Sequence, residues 1–184
     1  MKLDLPPPDH EIKIIENFLD KNFFNDLQTL IVKSEFAWFK RDHMTSPKDL
    51  GFFTHSFYND HRINTDYYFK YIIPILKILN SSAVVDVKAN MLVSPFYQHS
   101  SDDKWSSDGF HTDYPFNCKT AILYLNDFDG GTEFKMGEEI KFVEAKANKI
   151  VVFDTRIPHR GKPSKIDTFK YLINFNYFDF IKKS

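Results

Sequence analysis

Two short stretches of this chain carry the residue types that hold a metal ion. Gly109-Phe110-His111-Thr112-Asp113 sets an imidazole and a carboxylate two positions apart, and Ile157-Pro158-His159-Arg160-Gly161 supplies a second imidazole. On an extended strand residues i and i+2 project to the same side, so His111 and Asp113 are expected to converge on one point. With His159 brought in from another strand, two imidazoles and one carboxylate take one face of an octahedron. The opposite face stays open, which suits a non-haem Fe(II) ion that binds a cosubstrate and dioxygen. A His-x-Asp tripeptide alone is common, and its bland alternative is a set of unrelated polar residues. The order of features around it is what separates the two.

The 184 residues suffice for one domain with a substantial core. Residues 1–184 are therefore expected to form a single domain, with an N-terminal strand and supporting helices in 1–81 and a β-rich catalytic core in 82–184. Hydrophobic residues make up 42% and charged residues 27%, and the formal net charge is -1, so no global basic field exists to gather nucleic acid. The 20 phenylalanines point to a Phe-rich core rather than a stacking platform. Cys118 is the single cysteine, which excludes an intrachain disulfide and a cysteine-based zinc site, and it is expected to be a small buried residue. Pro6-Pro7-Pro8 with no apolar segment nearby does not make a signal peptide, and no apolar window is long enough to span a membrane. A cytoplasmic setting with no membrane partner is the expectation.

The elements that must position the three ligands can be read in order. Glu11 to Phe18 alternates as a short strand, and Asp20 is the N-cap of a helix over Lys21 to Lys33, with Phe23, Phe24, Leu27, Leu30 and Ile31 as its buried stripe. Ser34 to Arg62 shows no clear period; its histidines, His43, His55 and His61, are read as solvated or packed. A second helix over Tyr67 to Leu79 contains Pro74, which implies a kink or a late start. From Ser82 the pattern turns to strands: Ala83 to Val87, Ala89 to Val93, Thr120 to Leu125, Thr132 to Phe134, Ile140 to Glu144, Lys149 to Phe153 and Phe169 to Phe180. Asn126 to Gly131, with its glycine pair, reads as a turn. Both helices are expected on one face of a mainly antiparallel sheet.

From about Asn90 to Phe180 this pattern resembles the Fe(II)/2-oxoglutarate-dependent oxygenases, in particular their prolyl 4-hydroxylase-like branch. The resemblance rests, in order, on Tyr97, His111-Thr112-Asp113, Tyr124-Leu125-Asn126, Gly130-Gly131-Thr132-Glu133-Phe134, Val151-Val152-Phe153, His159 and Lys170-Tyr171-Leu172-Ile173-Asn174. It implies a mainly β fold with flanking helices: a double-stranded β-helix, or jelly roll, with the N-terminal helices packed on one sheet. It implies that His111, Asp113 and His159 ligate iron, and that Lys170 stands where the family places a basic residue for the distal carboxylate of 2-oxoglutarate. Tyr124 matches a tyrosine that bonds the same carboxylate, and Tyr97 one that lines the pocket nearer the metal. Asn174, four residues from Lys170 on the same strand face, is expected to reach the site too.

The chain departs from the family where a lysine replaces the usual arginine and Leu172 replaces a Ser or Thr. A lysine is a point charge and forms no bidentate fork, so Arg156 and Arg160, on either side of His159, are rivals for the role, with Arg160 expected to point away. The implied cofactors are Fe(II), 2-oxoglutarate and dioxygen, with ascorbate as reductant. The implied reaction hydroxylates a substrate C–H bond, most readily a prolyl residue in a peptide or protein, though small molecules stay open. Two other readings are a jelly-roll binding module that retains a metal and a zinc hydrolase on the same ligands; the latter lacks a suitably spaced general-base Glu. The polar loop Gln98 to Asp108, with Trp105 at its centre, is either a lid or a static surface loop anchored by that tryptophan.

Overall fold

The computed structural model describes residues 7–33, 35–42, 52–93, 109–162, 164 and 166–180. In chain order these form β1 (Lys13–Ile15), α1 (Lys21–Val32), β2 (Phe39–Arg41), β3 (Phe52–Asn59), β4 (Arg62–Ile63), a π-helical turn (Tyr68–Ile72) and α2 (Ile73–Ile78). There follow β5 (Ser81–Val93), β6 (Lys119–Tyr124), β7 (Phe128–Met136), β8 (Glu139–Ala145), β9 (Ile150–Asp154), β10 (His159–Lys162) and β11 (Phe169–Asp179).

Two antiparallel sheets arise. The larger runs β1-β9-β6-β11-β5-β3-β2, with β4 paired to β3, and the smaller is β10-β7-β8. Alternation along each strand divides the larger sheet into two chemically distinct faces. One face carries Val87 and Ala89 of β5, Ala121 and Leu123 of β6, and Ile173 and Phe175 of β11, packed against Phe24, Leu27 and Ile31 of α1 and Ile72, Ile75 and Leu76 of the second helical segment. The other carries Ile122, Tyr124, Val151, Phe153 and Leu172 against Phe134 and Val143 of the smaller sheet. This is the expected jelly roll, with both helical segments on the outer face of the larger sheet.

Local chemistry explains the elements. Asp20 Oδ1 accepts from Asn22 N at 2.9 Å and Phe23 N at 3.2 Å, satisfying backbone donors that the first turn of α1 leaves orphaned. Pro74 sits in the first turn of α2, and the π-helical turn precedes it. A wider turn there avoids the clash between the proline ring and the carbonyl four residues back.

Three expectations need correction. Ser34 to Arg62, read as lacking a period, contains β2 and β3, and the latter pairs with β5 over Phe53 to Tyr58. Aromatic residues on both faces of β3 obscured its alternation. The two strands read at Ala83–Val87 and Ala89–Val93 are one thirteen-residue strand, β5, with Lys88 in its interior. Gly130 and Gly131 lie inside β7, not in a turn. A Cβ on Gly131 would stand 2.1 Å from the Val143 carbonyl oxygen, so this glycine permits close approach of two strands at a bulge. The turn precedes them, where Asp127 Oδ1 accepts from Ala147 N and Asn126 Nδ2 donates to the Phe169 carbonyl.

Candidate active site

His159 opens β10, and His111 is its cross-strand neighbour in an isolated antiparallel bridge, the two backbones exchanging bonds of 3.0 and 2.9 Å. That pairing brings the imidazole centroids within 4.6 Å. His111 to Asp113 is thus not one extended strand: the chain bends after the bridge, and the bend delivers the carboxylate to the same point. Asp113 Oδ1 lies 3.7 Å from His111 Nε2 and 3.6 Å from His159 Nε2. Ligand atoms about 2.1 Å from an ion and at right angles stand roughly 3 Å apart, so a small inward movement closes this set on a metal. Among the described residues these three form the one group of His, Cys, Asp and Glu side chains so clustered.

The far side of each ligand is fixed as a metal site requires. His111 Nδ1 lies 3.1 Å from the Gly109 carbonyl and His159 Nδ1 3.0 Å from that of Ile157. Protons on the two Nδ1 atoms leave both Nε2 lone pairs facing inward. The other carboxylate oxygen, Asp113 Oδ2, accepts from Asn174 Nδ2 at 3.2 Å and lies 3.3 Å from Thr120 Oγ1. Phe153 packs edge-on against the His159 ring at 4.8 Å. Burial pushes the His159 pKa down, favouring the neutral, ligating form. Burial opposes charge on Asp113 also, but His159, His111, Lys88 and the Asn174 bond outweigh it and hold the carboxyl below its usual range.

Lys170 faces the same interior from β11, between the sheets. It is 1% exposed, and its Nζ donates to the Gly131 carbonyl at 2.6 Å. Tyr124 and Phe128 place their ring centroids 5.9 and 5.8 Å from Nζ. Gly161 of β10 lies beside the amine, and a Cβ there would stand in ordinary contact, 3.6 Å from Nζ. No carboxylate pairs with Lys170 among the described residues, and burial pushes its pKa down to about 7. The Tyr124 hydroxyl donates to Thr132 Oγ1 at 2.7 Å in this fully buried neighbourhood.

The rival cations are engaged elsewhere. Arg156 binds Asp154 at 2.7 Å on the outside of the barrel, and Arg160 Nε donates to Glu133 at 2.8 Å with its guanidinium over Phe110. Tyr97, Trp105 and the Gln98–Asp108 loop lie outside the described residues, as does His43. His55 is buried against Phe36 and Phe57, and His61 is exposed in a turn, so neither joins the site. Cys118 is buried, and its thiol is pushed up to about 11. Sequence reasoning missed Thr120, Thr132 and Lys88. Thr120 had a usable signal, since Thr120, Ile122 and Tyr124 share one strand face; Lys88 had none, because the strand carrying it was read as two.

No family model matches the sequence, and no curated protein matches it either. Solved structures do match in fold. A 2OG-Fe(II) oxygenase family oxidoreductase from Burkholderia pseudomallei superposes with a TM-score of 0.68 at 11% identity, covering 90% of this chain and 84% of that one. A prolyl hydroxylase from Trichoplax adhaerens, in complex with a hypoxia inducible factor oxygen degradation domain peptide fragment, gives 0.58 at 16% identity, covering 91% and 83%. The epimerase SnoN from nogalamycin biosynthesis, in complex with Fe3+, alpha ketoglutarate and nogalamycin RO, gives 0.60 at 12% identity, covering 91% and 78%. The fold is that of the 2OG-Fe(II) oxygenases. Among the described residues no helix is long and apolar enough to cross a membrane.

Proposed function

We propose that the chain is an Fe(II)/2-oxoglutarate-dependent hydroxylase, with His111, Asp113 and His159 holding the iron and Lys170 the distal carboxylate of the cosubstrate. The observation that carries this reading is the environment of Lys170. A lysine buried to this degree with no anionic partner among the described residues costs stability, and a dianionic ligand beside it removes that cost. Lys170 and Asn174 share one face of β11, about 13 Å apart along the strand. Asn174 touches the Asp113 carboxylate, so one inner strand face carries the amine at one end and a contact of the candidate metal ligands at the other.

When bound, iron supplies the dioxygen chemistry that side chains lack, coupling loss of carbon dioxide from 2-oxoglutarate to oxygen insertion into a C–H bond, with succinate and an alcohol as products. The chain's own residues bind, orient and exclude water. Lys170 takes the proton that makes it a cation and pairs with the diacid, with the Tyr124 hydroxyl alongside. Asn174 and Thr120 keep the outer oxygen of Asp113 turned from the ion, and Phe134, Phe153 and Leu172 keep the inner end dry. The favoured substrate is a prolyl residue of a peptide or protein; the peptide bound by the Trichoplax enzyme supports this choice. Residues 1–81 act as support and 82–184 as the catalytic part of one domain working in the cytoplasm, with ascorbate restoring iron oxidised in unproductive cycles.

The test is conversion of 2-oxoglutarate to succinate by purified protein supplied with Fe(II) and air. Succinate formation that disappears in His111→Ala supports the reading. Iron bound without any succinate formed, with or without candidate peptides, would leave a metal-retaining binding module instead.

A further inference from the structure

The smaller sheet packs on the inner face of the larger one over β9, β6 and β11 and, on β5, reaches Leu92. Beyond it, the inner faces of β5, β3 and β2 form a groove of about 480 Å³ lined by Lys40, Arg41, Asp42, Phe52, Thr54, Ser56, Asn59, Asp86 and Lys88. Register fixes its relation to the candidate metal site. Lys88 stands directly opposite Asn174 in the β5–β11 pairing, and Ser56 directly opposite Lys88 in the β3–β5 pairing. Since Asn174 bonds Asp113, the inner end of the groove is one strand away from the metal carboxylate.

The groove's charges are unequal. Lys88 is held by Asp86 at 3.0 Å and Lys40 by Asp42 at 3.0 Å. Thr54 and Ser56 spend their protons within the sheet, on the Ala89 carbonyl or Asn90 and on Asn59. Arg41, exposed opposite Phe52 at the outer end, has no acidic partner among the described residues. Resting on the oxygenase reading above, we propose that this groove seats the substrate peptide and that Arg41 reads an acidic side chain on it.

The geometry sets the spacing. Arg41 lies two strands from β5, roughly 10 Å across, and four residues from Lys88 along the strand direction, roughly 13 Å. The diagonal, less the reach of the arginine, corresponds to roughly three to five residues of extended peptide. A small molecule cannot bridge that distance, whereas a peptide with its oxidised residue at the metal end can. An acidic residue at that separation gains a charge-assisted contact with Arg41, and a basic one meets repulsion.

The experiment uses the 184-residue Fe(II)-loaded chain and a synthetic library of peptides with one proline. An Asp, Asn or Lys is placed at each position up to six residues on either side, and oxygen incorporation is read by mass spectrometry. Expected is a preference for Asp over Lys of roughly tenfold, confined to three to five residues from the modified proline on one side. Arg41→Glu, checked for folding by its melting temperature, should reverse the preference, and Arg41→Ala should flatten it. A preference that survives Arg41→Glu unchanged, or the absence of any charge preference, overturns the assignment. Oxidation of small carboxylates but no peptide overturns it also. Succinate production by the wild type without peptide is measured alongside. If succinate forms and no library peptide is oxidised, the groove assignment fails and the oxygenase reading stands; if no succinate forms under any condition, both fall.

Discussion

Over Leu172 to Tyr177 both faces of β11 are buried, and they are chemically opposite. Outward it presents Ile173, Phe175 and Tyr177, none more than 2% exposed, to the helices. Inward it presents Lys170, Leu172, Asn174 and Asn176, three of them polar and none more than 8% exposed. A fold selected for stability alone would fill both faces with apolar side chains, because a buried cation costs several kcal/mol and a buried amide must find partners. The outward face therefore reports what holds the molecule together, and the inward face what it was kept for. Asn174 and Asn176 satisfy one another at 3.1 Å and spend their remaining capacity on Asp113 and Thr120.

Substitutions should separate the faces. Phe175→Ala should carry the largest effect on stability, about 3–5 kcal/mol in denaturant unfolding, while cosubstrate affinity per folded molecule stays as in the wild type. Lys170→Met should do the reverse: at least about a hundredfold loss of 2-oxoglutarate affinity by calorimetry, with a higher melting temperature near pH 7. The sign follows from the buried amine. Its folded pKa of about 7 lies below its ordinary value of 10.5, so between them the unfolded chain binds more protons and wild-type stability rises with pH. The stability advantage of Lys170→Met should accordingly shrink as pH climbs through that window. A variant that loses stability at neutral pH would mean that Lys170 is structural.

Asn174→Ala should weaken iron binding roughly ten- to a hundredfold, because the carboxylate it orients loses a donor. Competition with a chelator measures this, and a wild-type affinity would confine Asn174 to packing. The smallest effect concerns protons. Above about pH 7 the empty pocket holds neutral Lys170, so the 2-oxoglutarate dissociation constant should rise about tenfold per pH unit. Lys170→Arg should abolish that slope, since arginine stays charged throughout.

Much of this division could be read from residue order alone. The helical stripe of α1, the alternation of β6 and β11, and the positions of His111, Asp113, His159 and Lys170 are all local patterns; the structure clusters the first three side chains and buries Lys170 between the sheets. What escaped depends on partners distant in sequence. Gly131 looks like turn chemistry until the Val143 carbonyl is set beside it. β3 carries aromatics on both faces, because one packs on the helices and the other borders the groove. The convergence of His111 and Asp113 was expected for the wrong local reason, since a bend and a cross-strand bridge bring them together rather than a continuous strand. Lys88 became visible only once β5 was seen as unbroken.

The most direct measurement of the central claim, that the three ligands and Lys170 form one site, is an anaerobic calorimetric titration of 2-oxoglutarate into the protein. It is made with and without Fe(II), on the wild type and on Lys170→Met. The account predicts one molecule bound per chain, tightly only when iron is present, and loss of that binding in the variant despite unimpaired iron uptake. Equal affinity with and without iron, or a Lys170→Met protein that binds as the wild type does, would contradict it.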